Sequence, residues 1–297
     1  MSSTSLRQEP CDLCEQRGFS VVSQTDRRGG ALTTVVCRSC GLISHEKVPN
    51  DEELAEYYRE EYRSDYHGEF TPSPYRVVRE WNRGRELLQL LSSYLRPRET
   101  VFEIGSGIGC TVKNFECSGY EAFGIEPGDG FRSFAANRLG ATVLPGVLSD
   151  LPAEPNGDMA LLVHVLEHLN SPTAALLHIR QLLNPGGRLY IEVPNAAAPH
   201  AAPGKMFHYA HIYNFTPATL QMLAHKAQFR VRTWLSPRLD RNIRVLLEPT
   251  ESPDWQVDPV SYDASMECLS RYSRLTYHLR WEYLLVRLQT VLRHASD

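Results

Sequence analysis

Four of the seven cysteines stand in two closely spaced pairs of the kind that bind metal ions. The pairs form CDLC and CRSC with 22 residues between them, and their members are Cys11, Cys14, Cys37 and Cys40. Four thiolates suit tetrahedral zinc and leave no open position for a catalytic water, so the expected ion is structural. Zinc would also explain how the first 50 residues fold with little apolar sequence. The alternatives are free thiols or a redox CxxC pair, which needs a βαβ context that is absent here.

A glycine-rich stretch, FEIGSGIGC, occupies residues 102 to 110 and contains Gly105, Gly107 and Gly109. Glycines between a strand and a helix let the backbone turn sharply and come close to a ligand. A dinucleotide fingerprint requires a further glycine at position 110, where this chain has Cys110. The departure weighs against NAD.

Two glutamates near this stretch indicate the charge of the ligand. Glu103 precedes the glycines, and Glu126 lies at the end of the next predicted strand. A carboxylate at position 126 can accept hydrogen bonds from both ribose hydroxyls of an adenosine, and a carboxylate at position 103 suits a cationic amino-acid tail. Both would repel an anionic pyrophosphate. S-adenosylmethionine, a nucleoside with a sulfonium and an amino-acid group, matches this pattern in charge and shape.

The sequence HVLEH places His164, Glu167 and His168 at positions i, i+3 and i+4. On a helical turn these positions share one face, and the turn directly follows the fourth predicted strand. The group could supply a base or an acceptor anchor, hold a divalent ion, frame the cofactor, or be structural.

The loop PHAAPGKMFHYAHIYNF follows the fifth predicted strand and contains His208, His211 and Tyr213. A base is needed only where an acceptor must lose a proton, as a hydroxyl does. We expect His211 to be this base, and His168 and Tyr213 are the other catalytic candidates. The alternative is that His211 is a packed, hydrogen-bonded structural residue beside its aromatic neighbours.

Alternating strand and helix patterns must position these residues. Five strands are predicted at TVFEIG, EAFGIEP, ATVLPG, DMALLVHV and GRLYIEVP, and three helices over residues 110–118, 131–139 and 172–183. A fourth helix has Thr216 as its N-cap and Pro217 in its first turn. RVRTWL and NIRVLLE follow without a crossover helix and predict an antiparallel edge. The expected fold is α/β, a doubly wound and mostly parallel sheet of seven strands with ligands at the carboxyl ends of its strands.

Around this domain, at residues 75–250, we expect three smaller parts. Residues 1–50 form a zinc-ribbon-like module, residues 51–74 a helical linker, and residues 251–297 a helical extension. Tyr57 and Tyr58 in the linker are interpreted as core residues at helical spacing. The extension combines apolar positions with five arginines, which favours a solvated face on a packing or dimerising helix over contact with an anionic partner. A homodimer through this helix is therefore one expectation.

The motifs in their order resemble those of the class I S-adenosylmethionine-dependent methyltransferases. VFEIGSGIG resembles the first motif of that family, GIEP the acidic end of its second strand, and DMALLVHVLEHL its fourth strand. LLNPGGRLYIEVPN and HIYNFTPATL match the segments that follow, and the resemblance covers about residues 75 to 250. It implies a Rossmann-like fold and S-adenosylmethionine as cofactor, held by Glu103, Gly105, Gly107, Gly109 and Glu126 and framed by His164.

Two narrower resemblances concern the metal ions and the acceptor. CRSCGLI and EELAEYY are similar to proteins that join a zinc-knuckle segment to this fold, often in saccharide or secondary-metabolite pathways. The resemblance implies methylation of a small molecule, foremost O-methylation of a sugar, nucleotide sugar or natural product. HVLEH resembles the place where ubiquinone-type O-methyltransferases hold a divalent ion. His164 replaces one carboxylate of that pattern, which is unfavourable for a hard, oxygen-preferring metal near His164, Glu167 and His168.

Three other functions remain open at this point: an RNA methyltransferase, a C- or N-methyltransferase of a sugar, and a non-catalytic scaffold that binds S-adenosylmethionine. The formal net charge of −4 and a first segment with nearly as many acidic as basic residues, five against six, disfavour nucleic acid. The N-terminus lacks the apolar core of a signal peptide, and no apolar run approaches the roughly 18 residues of a membrane span. We therefore expect no membrane span and a cytoplasmic location.

Overall fold

Two sheets with flanking helices make up the part of the chain that the structure describes. The computed structural model describes residues 7–56, 72–198, 201–202, 204–252 and 254–280. The strands are β1 (Phe19–Thr25), β2 (Ala31–Cys37), β3 (Ile43–His45), β4 (Thr100–Ile104), β5 (Glu121–Glu126), β6 (Val143–Pro145), β7 (Gly157–Val163), β8 (Leu183–Pro194), β9 (Tyr213–Asn214), β10 (Phe229–Trp234) and β11 (Asn242–Pro249). The helices are α1 (Asp51–Glu56), α2 (Pro74–Leu91), α3 (Cys110–Cys117), α4 (Asp129–Phe134), α5 (Pro172–Leu182), α6 (Pro217–Lys226), α7 (Ser261–Ser270) and α8 (Arg274–His278).

The larger sheet has seven strands in the order β10-β11-β8-β7-β4-β5-β6. Strands β4 to β8 run parallel to one another. Strand β11 pairs antiparallel with both β8 and β10. The predicted doubly wound, mostly parallel sheet of seven strands with an antiparallel edge is confirmed.

The central strands are apolar because helices cover both faces of this sheet. In β4, Val101 packs with Leu91 of α2 and Phe115 of α3 on one face. The next residue, Phe102, belongs to the cluster that contains Leu176 of α5 on the other face. Strands covered on both sides read as continuous apolar runs rather than as alternating ones, as TVFEI does here.

Two helices that flank the sheet begin as their sequences predict. Pro172 and Pro217 open α5 and α6, where a missing N–H costs nothing. The side chains of Ser171 and Thr216 accept hydrogen bonds from the backbone N–H groups three residues further on. The predicted N-cap at Thr216 is therefore confirmed.

The smaller sheet has the strand order β1-β2-β3-β9 and joins two distant parts of the chain. Its first three strands lie in residues 7–50, which we call the cysteine module, and β9 follows the fifth parallel strand of the larger sheet. Ile43 pairs with Asn214, and Ser44 pairs with Tyr213, in antiparallel register. The cysteine module thus shares a sheet with β9, the strand that follows the loop after β8.

A second connection joins the cysteine module to the start of helix α5. The hydroxyls of Ser171 and Thr173 each donate to the Asp12 carboxylate at 2.6 Å, and the Thr173 N–H donates to it at 3.0 Å. Lys226 Nζ donates to the Asp12 carbonyl oxygen at 2.9 Å. The carboxylate also lies where the helix dipole favours negative charge. Asp12 therefore acts as a cap on a helix of the larger domain.

Helix α7, in the extension, packs on the outer side of the same module. The hydroxyls of Tyr262 and Ser20 are 3.2 Å apart, and Met266 and Leu269 contact the cluster that contains Val36. This part of the extension is a packing helix. Residues 281–297, with two of the five arginines, lie outside the described residues, as do the linker tyrosines, and dimerisation stays a prediction.

Among the residues described, no helix combines the length and the apolar character that crossing a bilayer requires.

We predict that Asp12→Ala lowers the free energy of unfolding by about 1–3 kcal/mol, because three donors at the start of α5 lose their charged acceptor. Chemical denaturation of the purified chain measures the change. Glu9→Ala is the control, since it removes an exposed carboxylate from the same module. Equal stabilities for the two variants would contradict the capping role of Asp12.

Candidate active site

The glycine loop connects β4 to α3 in a backbone conformation that requires glycine. The φ angles of Gly105, Gly107 and Gly109 are 69°, 54° and 75°, in the left-handed region that other residues rarely adopt. A Cβ at Gly105 would lie 2.6 Å from the side chain of Val165. A Cβ at Gly107 would meet no atom within 4 Å, so the loop is open on that side. The loop therefore offers bare backbone to a ligand.

Glu126 lies at the carboxyl end of β5, directly opposite this loop. Its carboxylate accepts hydrogen bonds from the N–H of Gly107 at 3.0 Å and from the N–H of Gly128 at 2.7 Å. The parallel pairing of β4 with β5 brings these two strand ends together. The glycine loop and the predicted ribose-binding carboxylate thus line one crevice.

Glu103 is a buried carboxyl group just before the glycine loop. Burial raises its pKa to about 8, against the lowering effects of Thr111 and Arg83. Its Oε2 is buried and has no hydrogen-bond partner among the described residues. A buried carboxyl oxygen without a partner is costly unless a ligand satisfies it. An ammonium group, such as that of S-adenosylmethionine, fits this requirement.

HVLEH forms a short 3₁₀ turn at Leu166–His168, directly after β7, rather than an α-helical turn. Glu167 points inward and is only 1% exposed. Its Oε1 lies 3.3 Å from His164 Nδ1, 3.9 Å from His168 Nε2 and 4.0 Å from His211 Nε2. Its Oε2 is buried without a hydrogen-bond partner in the described structure. Three imidazoles from two segments therefore surround one buried carboxylate.

His164, which has a φ of 54°, lies between two carboxylates. Its Nε2 is 3.5 Å from Glu192 Oε1, and its Nδ1 faces Glu167. Burial acts to lower the pKa of His164, but both carboxylates outweigh it and raise the pKa to about 9. His164 is therefore held as an imidazolium, and its two ring nitrogens face Glu167 and Glu192.

His208 and His211 are brought against His168 by the loop that ends at β9. The ring centroids of His208 and His211 are 3.8 Å apart, and those of His168 and His211 are 4.9 Å apart. Burial and the neighbouring histidines hold the pKa of His211 well below its ordinary value. Neutral imidazole is thus the favoured form of His211.

Tyr213, the other predicted candidate base in this loop, has a different environment. Its hydroxyl donates to the carbonyl oxygen of Asn170 at 3.0 Å, and burial raises its pKa. The tyrosine anchors β9 to the segment before α5. Its proton is held by a backbone acceptor rather than directed at the histidines.

The groups around the Nε2 atom of His164 were not among the residues predicted from the sequence. Glu192 accepts hydrogen bonds from Tyr190 at 2.8 Å and from Asn242 at 2.7 Å, and Arg244 Nε lies 3.2 Å from it. Burial would raise the pKa of Glu192, but His164 and Arg244 lower it to about 2. The sequence does indicate Glu192, because it is a lone carboxylate in the apolar strand sequence LYIEVP. No sequence pattern indicates Asn242 or Arg244, because only the antiparallel placement of β11 brings them close to His164.

The four predicted zinc ligands lie together and are all buried. Cys11 Sγ is 3.6 Å from Cys40 Sγ, and Cys14 Sγ is 3.5 Å from Cys37 Sγ. Tetrahedral zinc with Zn–S bonds of about 2.3 Å holds its sulfurs roughly 3.8 Å apart. The cluster is compatible with zinc.

The family model described as a methyltransferase domain matches residues 76–233 of this chain. Two curated proteins of Mycobacterium tuberculosis, both uncharacterised, are 28% identical over 111 residues. That match covers 34% of this chain and 37% of each relative, so the chain spans about a third of their length.

Solved structures of methyltransferases share the fold. The Burkholderia thailandensis 1,6-didemethyltoxoflavin-N1-methyltransferase has a TM-score of 0.54 and 20% identity, covering 82% of this chain and 100% of its own. The magnesium protoporphyrin IX methyltransferase of Synechocystis has a TM-score of 0.50 and 15% identity, covering 67% and 99%. These likenesses agree with the seven-stranded sheet described above. Since the family model covers more than half of the residues, the chain belongs to the methyltransferase domain family.

Proposed function

We propose that this chain transfers the methyl group of S-adenosylmethionine to a small-molecule acceptor, foremost a hydroxyl of a sugar, nucleotide sugar or natural product. One observation carries the proposal. The carboxyl edge of the sheet presents an open glycine loop and the unsatisfied Glu103 oxygen on β4, and a histidine cluster after β7, its neighbour. Groups suited to bind the cofactor and groups suited to accept a proton thus lie at the ends of adjacent strands.

The residues of β4 and β5 fit the two ends of S-adenosylmethionine. Glu126 would accept from the ribose hydroxyls, and Glu103 would face the ammonium of the amino-acid tail. Bound there, S-adenosylmethionine supplies a methyl group on a positively charged sulfur, which is already activated towards displacement. The chain's contribution is to align donor and acceptor and to exclude water.

His211 is the group best placed to take a proton from a hydroxyl acceptor. It lies beside Glu167, which can orient the ring and stabilise the imidazolium that forms. His168 is the second candidate, since it lies equally close to the same carboxylate. Tyr213 fits a base less well because its hydroxyl is bound to Asn170.

A second divalent ion at this cluster is the other use of the same groups. Ligand atoms of Glu167, His168 and His211 all lie within 4.8 Å of one another. His211 thereby takes the place expected for His164, which is engaged with Glu192. Two imidazoles and one carboxylate favour a transition metal over magnesium or calcium. The cysteine cluster would hold the structural zinc.

We predict that Glu126→Ala weakens binding of S-adenosylhomocysteine by about 10- to 100-fold, as expected from the loss of roughly 1.5–3 kcal/mol for hydrogen bonds to a charged group. Calorimetric titration measures the affinity. Glu121→Ala, at the opposite end of β5, is the matched control. If both variants bind S-adenosylhomocysteine as tightly as wild type, the ribose assignment is wrong. If the folded wild type does not bind it, the proposed function is wrong.

We predict that binding of S-adenosylhomocysteine at pH 7 releases close to one proton from Glu103. At that pH, below its pKa of about 8, this carboxyl group holds its proton. A neighbouring ammonium lowers the pKa, so the proton leaves. Calorimetry in two buffers of different ionisation enthalpy measures the release, and Glu103→Gln is expected to lack it. An equal release in both proteins would show that Glu103 does not face the ammonium.

For the second use of the cluster, as a metal site in place of a base, we predict that the purified chain holds two metal ions and that Glu167→Gln removes one of them, because the carboxylate supplies the only negative ligand of that set. Elemental analysis measures metal per chain. His178→Gln, on α5 away from the cluster, is the control and keeps both ions. If the wild-type chain holds a single metal ion, the cluster of Glu167, His168 and His211 does not bind a metal, and its role as a base is favoured.

An acceptor screen separates the alternatives in chemistry. Labelled S-adenosylmethionine with nucleotide sugars, free sugars and RNA distinguishes small-molecule from RNA methylation, and mass spectrometry of the product distinguishes oxygen, nitrogen and carbon. Cofactor binding without a labelled product from any of these acceptors would favour the non-catalytic scaffold.

A further inference from the structure

The segment between β8 and β9 carries two histidines of the cluster, and we call its residues 204–212 the histidine loop. The segment leaves and rejoins the larger domain at one point, where the Ala196 N–H donates to the Phe215 carbonyl at 2.8 Å. Within it, the His211 N–H donates to the His208 carbonyl at 3.1 Å. This tight turn sets the spacing between the two histidines, but it does not fix where the loop lies.

In the larger domain, the His168 side chain hydrogen-bonds the backbone of Ala210 in the middle of the loop, and the cysteine module contacts the loop near its ends. The Arg27 N–H donates to the Phe207 carbonyl at 2.7 Å, and the His45 N–H donates to the Ile212 carbonyl at 2.9 Å. Lys205 Nζ donates to the Arg27 carbonyl at 2.9 Å. Directly after the loop, β9 pairs with β3. The module thus holds the loop near both of its ends.

The side chain of His45 reaches the middle of the loop. It is 2% exposed, and its ring lies within hydrogen-bonding range of the backbone of His208 and of His211. Its Nε2 has no hydrogen-bond partner among the described residues, which leaves Nδ1 as the atom that donates to those carbonyls.

We propose that His45 is a positioning residue, through which the cysteine module holds the histidine loop so that His211 stays beside Glu167. The proposal rests on the proposed function, because it takes His211 for a group that faces the acceptor. It assigns to the metal-binding module a role in building the acceptor side of the site.

The same geometry separates the acceptor side from the cofactor side. The glycine loop and Glu126 belong to β4 and β5, whose hydrogen-bonded neighbours in the larger sheet are β6 and β7. The smaller sheet reaches the site through β9 and the histidine loop. A change at His45 should therefore disturb the loop and leave cofactor binding intact.

The test compares His45→Leu, which loses the N–H donor, with His45→Asn, whose amide nitrogen replaces Nδ1. His178→Leu is the matched control, because this histidine also contacts a backbone oxygen, that of Leu151, but outside the site. Hydrogen exchange of peptides covering residues 204–214 is measured on the full, zinc-loaded chain. We expect exchange about tenfold faster or more in His45→Leu, near wild type in His45→Asn and unchanged in the control.

Two further readouts accompany the exchange. The ring resonances of His208 and His211, seen by NMR after histidine labelling, should shift or broaden in His45→Leu and return in His45→Asn. The affinity for S-adenosylhomocysteine should stay within about twofold of wild type, because the glycine loop and Glu126 lie at the ends of strands that belong to the larger sheet rather than to the smaller one. A merely structural role for His45 would not produce rescue by the amide.

Unchanged exchange over residues 204–214 in His45→Leu overturns the proposal, and so does exchange in His45→Asn as fast as in His45→Leu. Should His45→Leu not fold, His45→Gln replaces it, because its longer side chain carries the amide to the Nε2 position. Its exchange should then exceed that of His45→Asn. If the wild-type chain does not bind S-adenosylhomocysteine, the proposed function is overturned. If His45→Leu binds S-adenosylhomocysteine as wild type does but exchanges faster over residues 204–214, the positioning role is supported separately.

Discussion

Parallel pairing brings the carboxyl ends of neighbouring strands to one edge of a sheet, and the candidate site depends on this constraint. Strands β4, β5, β7 and β8 end there with a glycine loop, Glu126, His164 and Glu192. These residues are far apart in the chain. The helices cover both faces of the sheet, so that the apolar strand interiors remain buried and their register is kept.

Burial at this edge divides the carboxylates into two kinds. Glu192 is surrounded by Tyr190, Asn242, Arg244 and His164, and its pKa is held at about 2. Glu103 has less compensation, from Thr111 and Arg83, and burial raises its pKa to about 8. A carboxylate whose charge is balanced by its neighbours has a structural role. A carboxylate with one oxygen that lacks a hydrogen-bond partner can change its protonation when a ligand binds. Glu167 lies between these cases, since one oxygen faces three histidines and the other has no partner within the described structure.

Local patterns made much of the fold predictable. The glycine loop, the Thr216 cap and the apolar strands follow from backbone conformation and periodicity, which neighbouring residues determine. The contacts that complete the site come from pairs distant in sequence. Glu192 meets His164 because β7 and β8 are parallel neighbours, and Asn242 joins them because β11 pairs antiparallel with β8. A two-residue strand such as β9 has no periodicity to detect, and the Asp12 cap has its carboxylate in another part of the chain.

The pairing of β3 with β9 has a consequence for the order in which the chain is assembled. All four cysteines lie within the first 40 residues, so they can bind a metal early in synthesis. The free edge of β3, however, receives its partner only when residues 213 and 214 have left the ribosome. Until then β3 has an unpaired edge beside an unfinished sheet, and such edges attract other chains. Vectorial synthesis therefore imposes an interval of vulnerability that ends only when the methyltransferase sheet is nearly complete.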